Sequence, residues 1–364
     1  MTKISWIGVF ITSHGFGHAT RTCAVLNEIS KTRSCSFIIF STLPQYFFLQ
    51  NLNFDSFELV SLKTDVGLVQ EGPFAHDLTK TYIELEEFLL FKSSDFQKAL
   101  TLSRDKELDL IICDISPLGL EVSHRLGIPS VLIENFTWDW IYEAYQKMHS
   151  GWSDIIDRIS KIYENADLRI QAKPFCLEND NSVKIPPISR SLIRSPDEIR
   201  KKLGCDRASK LIILTTGGIT KELLLSEKLK VHKNYTFILS GDFKITSRDQ
   251  NIISLPMSSS FHYPDLVNAS NLVVGKVGYG TLAECWATET PLIGCFRNNF
   301  RESEVLRKFV KQNIQHKEIS IDDFESMNWV SDIQHILSVK SFGGQKANTN
   351  GVSLAANHII NFLK

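Results

Sequence analysis

No stretch of the chain approaches the roughly 18 consecutive apolar residues that a membrane-spanning helix needs. No secretory leader is visible, since Lys3 is followed by a short apolar run through Thr12 and then by His14 and glycines. Charge of one sign is also missing. Forty Lys and Arg against 41 Asp and Glu leave a net of −1, so nucleic-acid binding by bulk charge is not expected. The seven cysteines are odd in number and form no CxxC pair, which excludes a disulfide framework and predicts reduced, core-filling thiols in a cytoplasmic protein. There is no GxSxG, no GxxxxGK[ST] and no HExxH, and no clustered Cys/His set for a metal. GxGxxG is absent after the first strand, because Gly15-Phe16-Gly17 runs on as His18-Ala19-Thr20; a dehydrogenase reading is weakened accordingly.

What is present is ordinary globular material, 43% apolar and 22% charged over 364 residues, enough for two domains. The charge is uneven, with a net of −7 over residues 1–165 and +6 over 166–364. That is either chance between two solvated surfaces or a second half that handles an anion.

Strand-like and helix-like segments alternate. Ile4–Thr12 is an apolar, β-branched run ending in Ser13-His14-Gly15, and Ala19, Cys23, Leu26 and Ser30 then fall on one helical face. Strands follow at Ser36–Ser41, Phe57–Leu62, Leu108–Cys113, Ser130–Glu134 and Leu168–Gln171, with Lys80–Arg104 read as one long helix. Residues 173–195, with Pro174 and Pro186-Pro187, break the rhythm and read as a linker. Ser195-Pro196-Asp197-Glu198 opens the next helix with a capping box. Strands at Leu211–Thr215, Phe237–Leu239, Ile252–Leu255, Leu272–Val274 and Leu292–Cys295 build a second α/β unit, and Asn348–Leu363 is a last helix. The fold class is therefore α/β, two doubly wound Rossmann-like domains facing across a cleft. The expected limits are 1–173, a linker at 174–194, 195–345, and a helix at 346–364 returning to the first domain.

Chemistry-bearing residues gather at the carboxyl ends of these strands. His14, Gly15, Phe16, Gly17, His18 and Arg21 stand where strand one meets helix one. The glycines allow a tight turn, the helix N-terminus favours an anion, and His18 can act as a base. Lys276-Val277-Gly278-Tyr279-Gly280-Thr281 repeats the design in the second half, with Glu284 placed to accept from a ribose diol or to favour the helix dipole. Thr216, Gly217 and Gly218 end another strand there. Arg301 and Glu302 either reach a sugar or form a helix-start salt bridge. Asp114 ends a first-half strand as a carboxylate able to position or deprotonate an acceptor. Asn135 and Trp138 end the next; Trp138 stacks on a sugar or fills the core. Tyr46–Leu49 and Phe88–Phe91 offer either core packing or peripheral membrane contact.

HGFGHATR at His14–Arg21, KVGYGTLAE at Lys276–Glu284 and FRESEVL at Phe300–Leu306 together resemble GT-B glycosyltransferases. The nearer resemblance is to the glycosyltransferase-like N-terminal region of plant L-arabinokinases and its stand-alone bacterial relatives, which are also similar at Asp65-Val66-Gly67, Asp114–Pro117 and Asn135–Trp140. Those relatives usually carry proline where Val277 stands, and their kinase domain has no counterpart here. The resemblance implies a nucleotide-diphosphate sugar, UDP-linked by preference, held by Gly278, Gly280, Thr281, Glu284 and the segment around His262. It implies an acceptor in the first domain beside His18 and Asp114, no cofactor, no metal and an inverting transfer. A nucleotide-sugar hydrolase, and a binding module without turnover, are the alternatives.

Overall fold

The computed structural model describes residues 5–70, 76–148, 150–215, 227–241, 243–339 and 351–363. Two compact units divide the chain. The first comprises the described residues of Met1–Ile188, Asn299–Val305 and Thr349–Lys364; the second comprises those of Ser189–Asn298 and Leu306–Asn348.

In the first unit the strands are β1 (Ser5–Ile11), β2 (Cys35–Phe40), β3 (Phe57–Val60), the ribbon pair β4 (Val69–Gln70) and β5 (His76–Asp77), then β6 (Leu110–Asp114), β7 (Ser130–Glu134), β8 (Leu168–Ala172) and β9 (Val183–Ile185). Its helices are α1 (Phe16–Thr32), α2 (Gln45–Asn51), α3 (Leu78–Phe88), α4 (Ser94–Asp105), α5 (Pro117–Leu126), α6 (Trp138–Glu143) and α7 (Trp152–Glu164). Seven strands form one parallel sheet in the order β3-β2-β1-β6-β7-β8-β9. β6 and β7 are buried at every residue, as strands covered on both faces must be, and this explains their unbroken apolar runs. The order reverses between β1 and β6, so the connections leaving those two neighbours run to opposite sides and open a crevice at their carboxyl ends.

The second unit repeats the plan with β10 (Lys210–Thr215), β11 (Tyr235–Gly241), β12 (Ser247–Asp249), β13 (Ile252–Pro256), β14 (Leu272–Lys276), β15 (Leu292–Cys295) and β16 (His316–Glu318). Their order is β12-β13-β11-β10-β14-β15-β16, parallel except for β12. The reversal falls between β10 and β14. Thr215 and Gly275 pair there so closely that a Cβ on Gly275 would stand 1.9 Å from the Thr215 carbonyl oxygen, at a φ of +146°. Gly275→Ala is therefore expected to destabilise the protein by about 1–3 kcal/mol, read from urea unfolding, because the obstacle is a neighbouring strand's backbone and cannot rotate away.

Several expectations are corrected. The helix read over Lys80–Arg104 is two helices, α3 and α4. Phe91 adopts a left-handed φ of 50°, and the Ser93 hydroxyl caps α4 by accepting from the Phe96 amide. Helical spacing on both sides masked a break made by one residue's backbone and one hydroxyl. The stretch read as linker contains β9, which extends the first sheet with Ile170 opposite Val183. Three residues between polar and proline-rich flanks are too short to show strand periodicity. The apolar runs at 46–49 and 88–91 bury Phe47, Phe48, Leu89 and Phe91, leaving Leu49 and Leu90 outside. None of the seven cysteines is in a disulfide. The helix Gly351–Phe362 packs on α1, with the Gly351 amide donating to the Pro187 carbonyl and the Ser353 hydroxyl to Glu28. Among the described residues no helix is long and apolar enough to cross a membrane.

Candidate active site

At the β1/β6 crevice the local sequence leaves little choice of backbone. Gly15 takes a φ of 91° at the start of α1, a conformation that disfavours any side chain, and His18 follows within the first helical turn. The first turn contains no acidic side chain and the helix has no side-chain cap. On β6 the chain turns sharply after Asp114. Ile115 sits at a φ of 45°, rare for a β-branched residue, and Tyr163 donates to its carbonyl at 2.7 Å. Ser116 and Pro117 then open α5, with the Ser116 hydroxyl accepting from the Gly119 amide.

This geometry brings His18 and Asp114 together from 96 residues apart. His18 Nδ1 lies 2.8 Å from Asp114 Oδ1, and the two residues are 8% and 0% exposed. Arg21, one helical turn beyond His18 and 1% exposed, grips the same carboxylate with two donors, Nε to Oδ2 at 2.7 Å and Nη2 to Oδ1 at 2.6 Å. The Thr22 hydroxyl also donates to Oδ2, at 2.8 Å. Burial raises the Asp114 carboxyl, but the Arg21 charge and the bonds from His18 and Arg21 outweigh it and hold the group below its ordinary range. Nδ1 is 3.1 Å from Arg21 Nη2 as well. The carboxylate is the nearer neighbour and can only accept, which assigns the ring proton to Nδ1 and leaves the Nε2 lone pair for chemistry.

The network continues through β7. Arg21 Nη1 donates to Asn135 Oδ1 at 2.5 Å, and Asn135 Nδ2 donates to Glu302 Oε1 at 2.7 Å. Arg301 and Glu302, expected either to reach a sugar or to form a helix-start salt bridge, group with the first unit. Arg301 donates to the Trp140 carbonyl and to Glu143, and its guanidinium lies 4.1 Å from the centre of the Trp140 ring. Phe300 packs beside Phe136 and His14. Phe16 stacks on Phe47, and Gly17 accepts from the Thr20 hydroxyl. Trp138, considered as a stacking ring, is buried instead. Its indole N–H donates to Asp65 at 2.7 Å, and its ring stacks on Tyr142.

Asp65 is a site residue that neither charge pattern nor periodicity singled out. It follows β3, is buried, and is raised by that burial against the bonds from Thr12 and Trp138. Its only sequence signal was its place in the resemblance. Thr22 had none.

In the second unit Lys276, Gly278, Tyr279, Gly280 and Thr281 lie where β14 meets the helix Tyr279–Thr288, whose first residue is preceded by Gly278 with no side-chain cap. Glu284 is buried in that helix. It accepts from Arg190 through Nε at 2.9 Å and again through Nη2. Burial raises its carboxyl while Arg190 opposes the rise. Arg190 fell inside the segment read as linker, where no pattern marked it. His262 Nε2 is 3.0 Å from the Ser191 carbonyl oxygen; burial and the Arg190 charge push its ring down to about 4, so it is neutral near pH 7. Thr216, Gly217 and Gly218 lie outside the described residues. Among the described residues no group of three or more His, Cys, Asp and Glu is placed to hold a metal ion.

Solved structures settle the architecture. The chain is similar to the glycosyltransferase SnogD from Streptomyces nogalater at 16% identity, covering 99% of this chain and 100% of that one with a TM-score of 0.59. It is similar to a UDP-glucosyltransferase from Polygonum tinctorium capable of glucosylating indoxyl at 12% identity, covering 100% and 99% with a TM-score of 0.63. A glycosyltransferase from Streptomyces sp. SF2575 complexed with thymidine diphosphate matches at 12% identity, 98% and 99% coverage, and a TM-score of 0.61.

The chain has the GT-B glycosyltransferase fold.

No family model matches it. A curated relative, the L-arabinokinase of Arabidopsis thaliana, is 24% identical over 356 residues. The match takes in 96% of this chain but 34% of that protein, so the chain spans about a third of the relative's length. Within the GT-B fold each unit places its glycine-led helix at the strand reversal of its own sheet, which is where ligands of doubly wound sheets bind.

Proposed function

We propose that the chain is a glycosyltransferase that moves a sugar from a nucleotide diphosphate to a hydroxyl acceptor, with His18 as the general base. The buried hydrogen bond between His18 Nδ1 and Asp114 Oδ1, at 2.8 Å, is the observation that carries this reading. It leaves Nε2 free to take the acceptor's proton as the acceptor oxygen forms its bond to the anomeric carbon. The bond from that carbon to the diphosphate breaks, and the diphosphate leaves with the electron pair. Such a displacement inverts the anomeric centre. The uncapped helix Tyr279–Thr288 and Lys276 supply positive potential for the diphosphate without a metal. A ribose held by Glu284 would compete with, or share the carboxylate with, Arg190.

The nucleoside is proposed to be uridine, with thymidine as the nearest rival by analogy to the diphosphate-bound neighbour. A panel of UDP-, dTDP-, GDP-, ADP- and CDP-sugars tests this by thermal shift, with released nucleoside diphosphate assayed in the same wells. A shift with one base that is lost in Glu284→Gln is the expected result. Release without acceptor that disappears in His18→Ala would make the protein a nucleotide-sugar hydrolase. A folded protein that shifts with none of them would overturn the reading.

A further inference from the structure

The hydrogen bonds around His18 have a fixed direction. A guanidinium only donates and a carboxylate only accepts. Asn135 lies between one of each, so its amide is held from both ends: oxygen toward Arg21 Nη1 at 2.5 Å, nitrogen toward Glu302 Oε1 at 2.7 Å. Turning the amide over would set two donors against each other on one side and two acceptors on the other. Arg21 is in turn locked between Asn135 and both oxygens of Asp114, and Asp114 faces His18 Nδ1. Glu302 is 7% exposed, so this relay ends on a buried residue.

The charges count the same way. Arg21 and Asp114 alone are neutral together, and a neutral pair offers little to a histidine that must become positive during the reaction. Glu302 makes the relay net negative. Two further buried carboxyls bear on this network: Asp65, which interacts with His18 and Lys63, and Glu134, which interacts with Arg21 and is paired with Arg169.

We propose that Glu302 is a positioning residue for His18, acting through Asn135 and Arg21 to hold Asp114 in place and to end the relay on a negative charge. The sequence leaves this glutamate either reaching a sugar or forming a helix-start salt bridge; its hydrogen-bond partner is Asn135, two side chains from Asp114. The proposal rests on the reading of His18 as the base, and its test is built so that the two can fail separately.

Glu302→Gln keeps an acceptor for Asn135 and removes the charge. Glu302→Ala removes both. Asn135→Ala cuts the relay and leaves Glu302 untouched. With the donor selected by the panel above, Glu302→Ala and Asn135→Ala are each expected to lower kcat by up to about 10²-fold. Donor KM should stay within about twofold, and the double variant should be no worse than either single one. Glu302→Gln should recover part of kcat. A rise in donor KM in Glu302→Ala that Asn135→Ala does not share would assign Glu302 to the sugar and overturn the proposal.

A second readout needs no turnover. The His18 Nδ1 proton, bonded to a carboxylate, should give a far-downfield proton resonance, identified by its loss in His18→Ala. It should broaden or vanish in Glu302→Ala and Asn135→Ala and persist in Glu302→Gln. An unchanged resonance in both alanine variants would overturn the relay whether or not the protein transfers sugar.

Discussion

Replacing His18 by alanine is expected to lower the rate of sugar transfer by about 10²–10⁴-fold, the usual contribution of a positioned general base. The fold and nucleotide binding should be nearly unaffected. His18 lies on the first turn of α1, where an alanine is a good helix former, and its one strong bond is to a carboxylate that keeps Arg21 and Thr22 as partners. Initial rates and thermal-shift titration on the same preparation measure both halves of this expectation. An activity that survives His18→Ala within a few-fold would remove the base from the mechanism. Asp114→Asn probes the same step differently, because the amide cannot serve Arg21 and Nδ1–H as the carboxylate does.

The largest stability effect is expected at Arg21. Its side chain is 1% exposed and is the cation that compensates Asp114, itself wholly buried. Arg21→Met keeps much of the volume but leaves that carboxylate without its cation, at a cost of about 3–5 kcal/mol. The pH dependence gives this a sign. In the native protein the Asp114 carboxyl is held below its ordinary range, so the unfolded chain binds the proton more readily. Its stabilisation is complete above the ordinary carboxylate range and is lost as pH falls through the lowered value. In Arg21→Met burial acts with far less opposition and the carboxyl rises. The folded variant then binds the proton more readily than the unfolded chain, and its stability falls as pH climbs through that window. The gap between the two proteins should therefore be largest near neutrality and narrow in acid. Urea unfolding across pH measures it, and a gap independent of pH would disconnect the effect from Asp114.

Much of the fold was legible because parallel strands covered on both faces announce themselves as apolar runs. The runs ending at Ile11, Asp114 and Glu134 each stop at a strand's carboxyl end, and each leads into a residue of the network: His18, Asp114 and Asn135. The capping box at Ser195 and Glu198 is equally local, and it is present. Strand order was the missing quantity. Nothing within β1 says that its neighbour is β6, and only that neighbourhood turns a histidine and an aspartate 96 residues apart into a hydrogen-bonded pair. The partner of Glu302 was hidden for the same reason. That glutamate follows the strands of the second half in the chain, but its partner is Asn135, 167 residues away. Side chains such as Arg190 and Asp65, which matter through what they touch rather than through any repeat, leave little trace in one sequence.

The first unit is assembled from three separated stretches, and this has a consequence for how the protein comes into being. A ribosome delivers residues through Ile188 before Phe300, Glu302 or the helix Gly351–Phe362 exists. At ordinary rates of synthesis the wait is on the order of ten seconds. Through that interval α1 has no helix against its flank and Asn135 has no carboxylate to fix its amide. The unit begun first is thus completed last. A nascent chain is born without a finished His18 relay, and the relay is complete only after synthesis has passed Glu302.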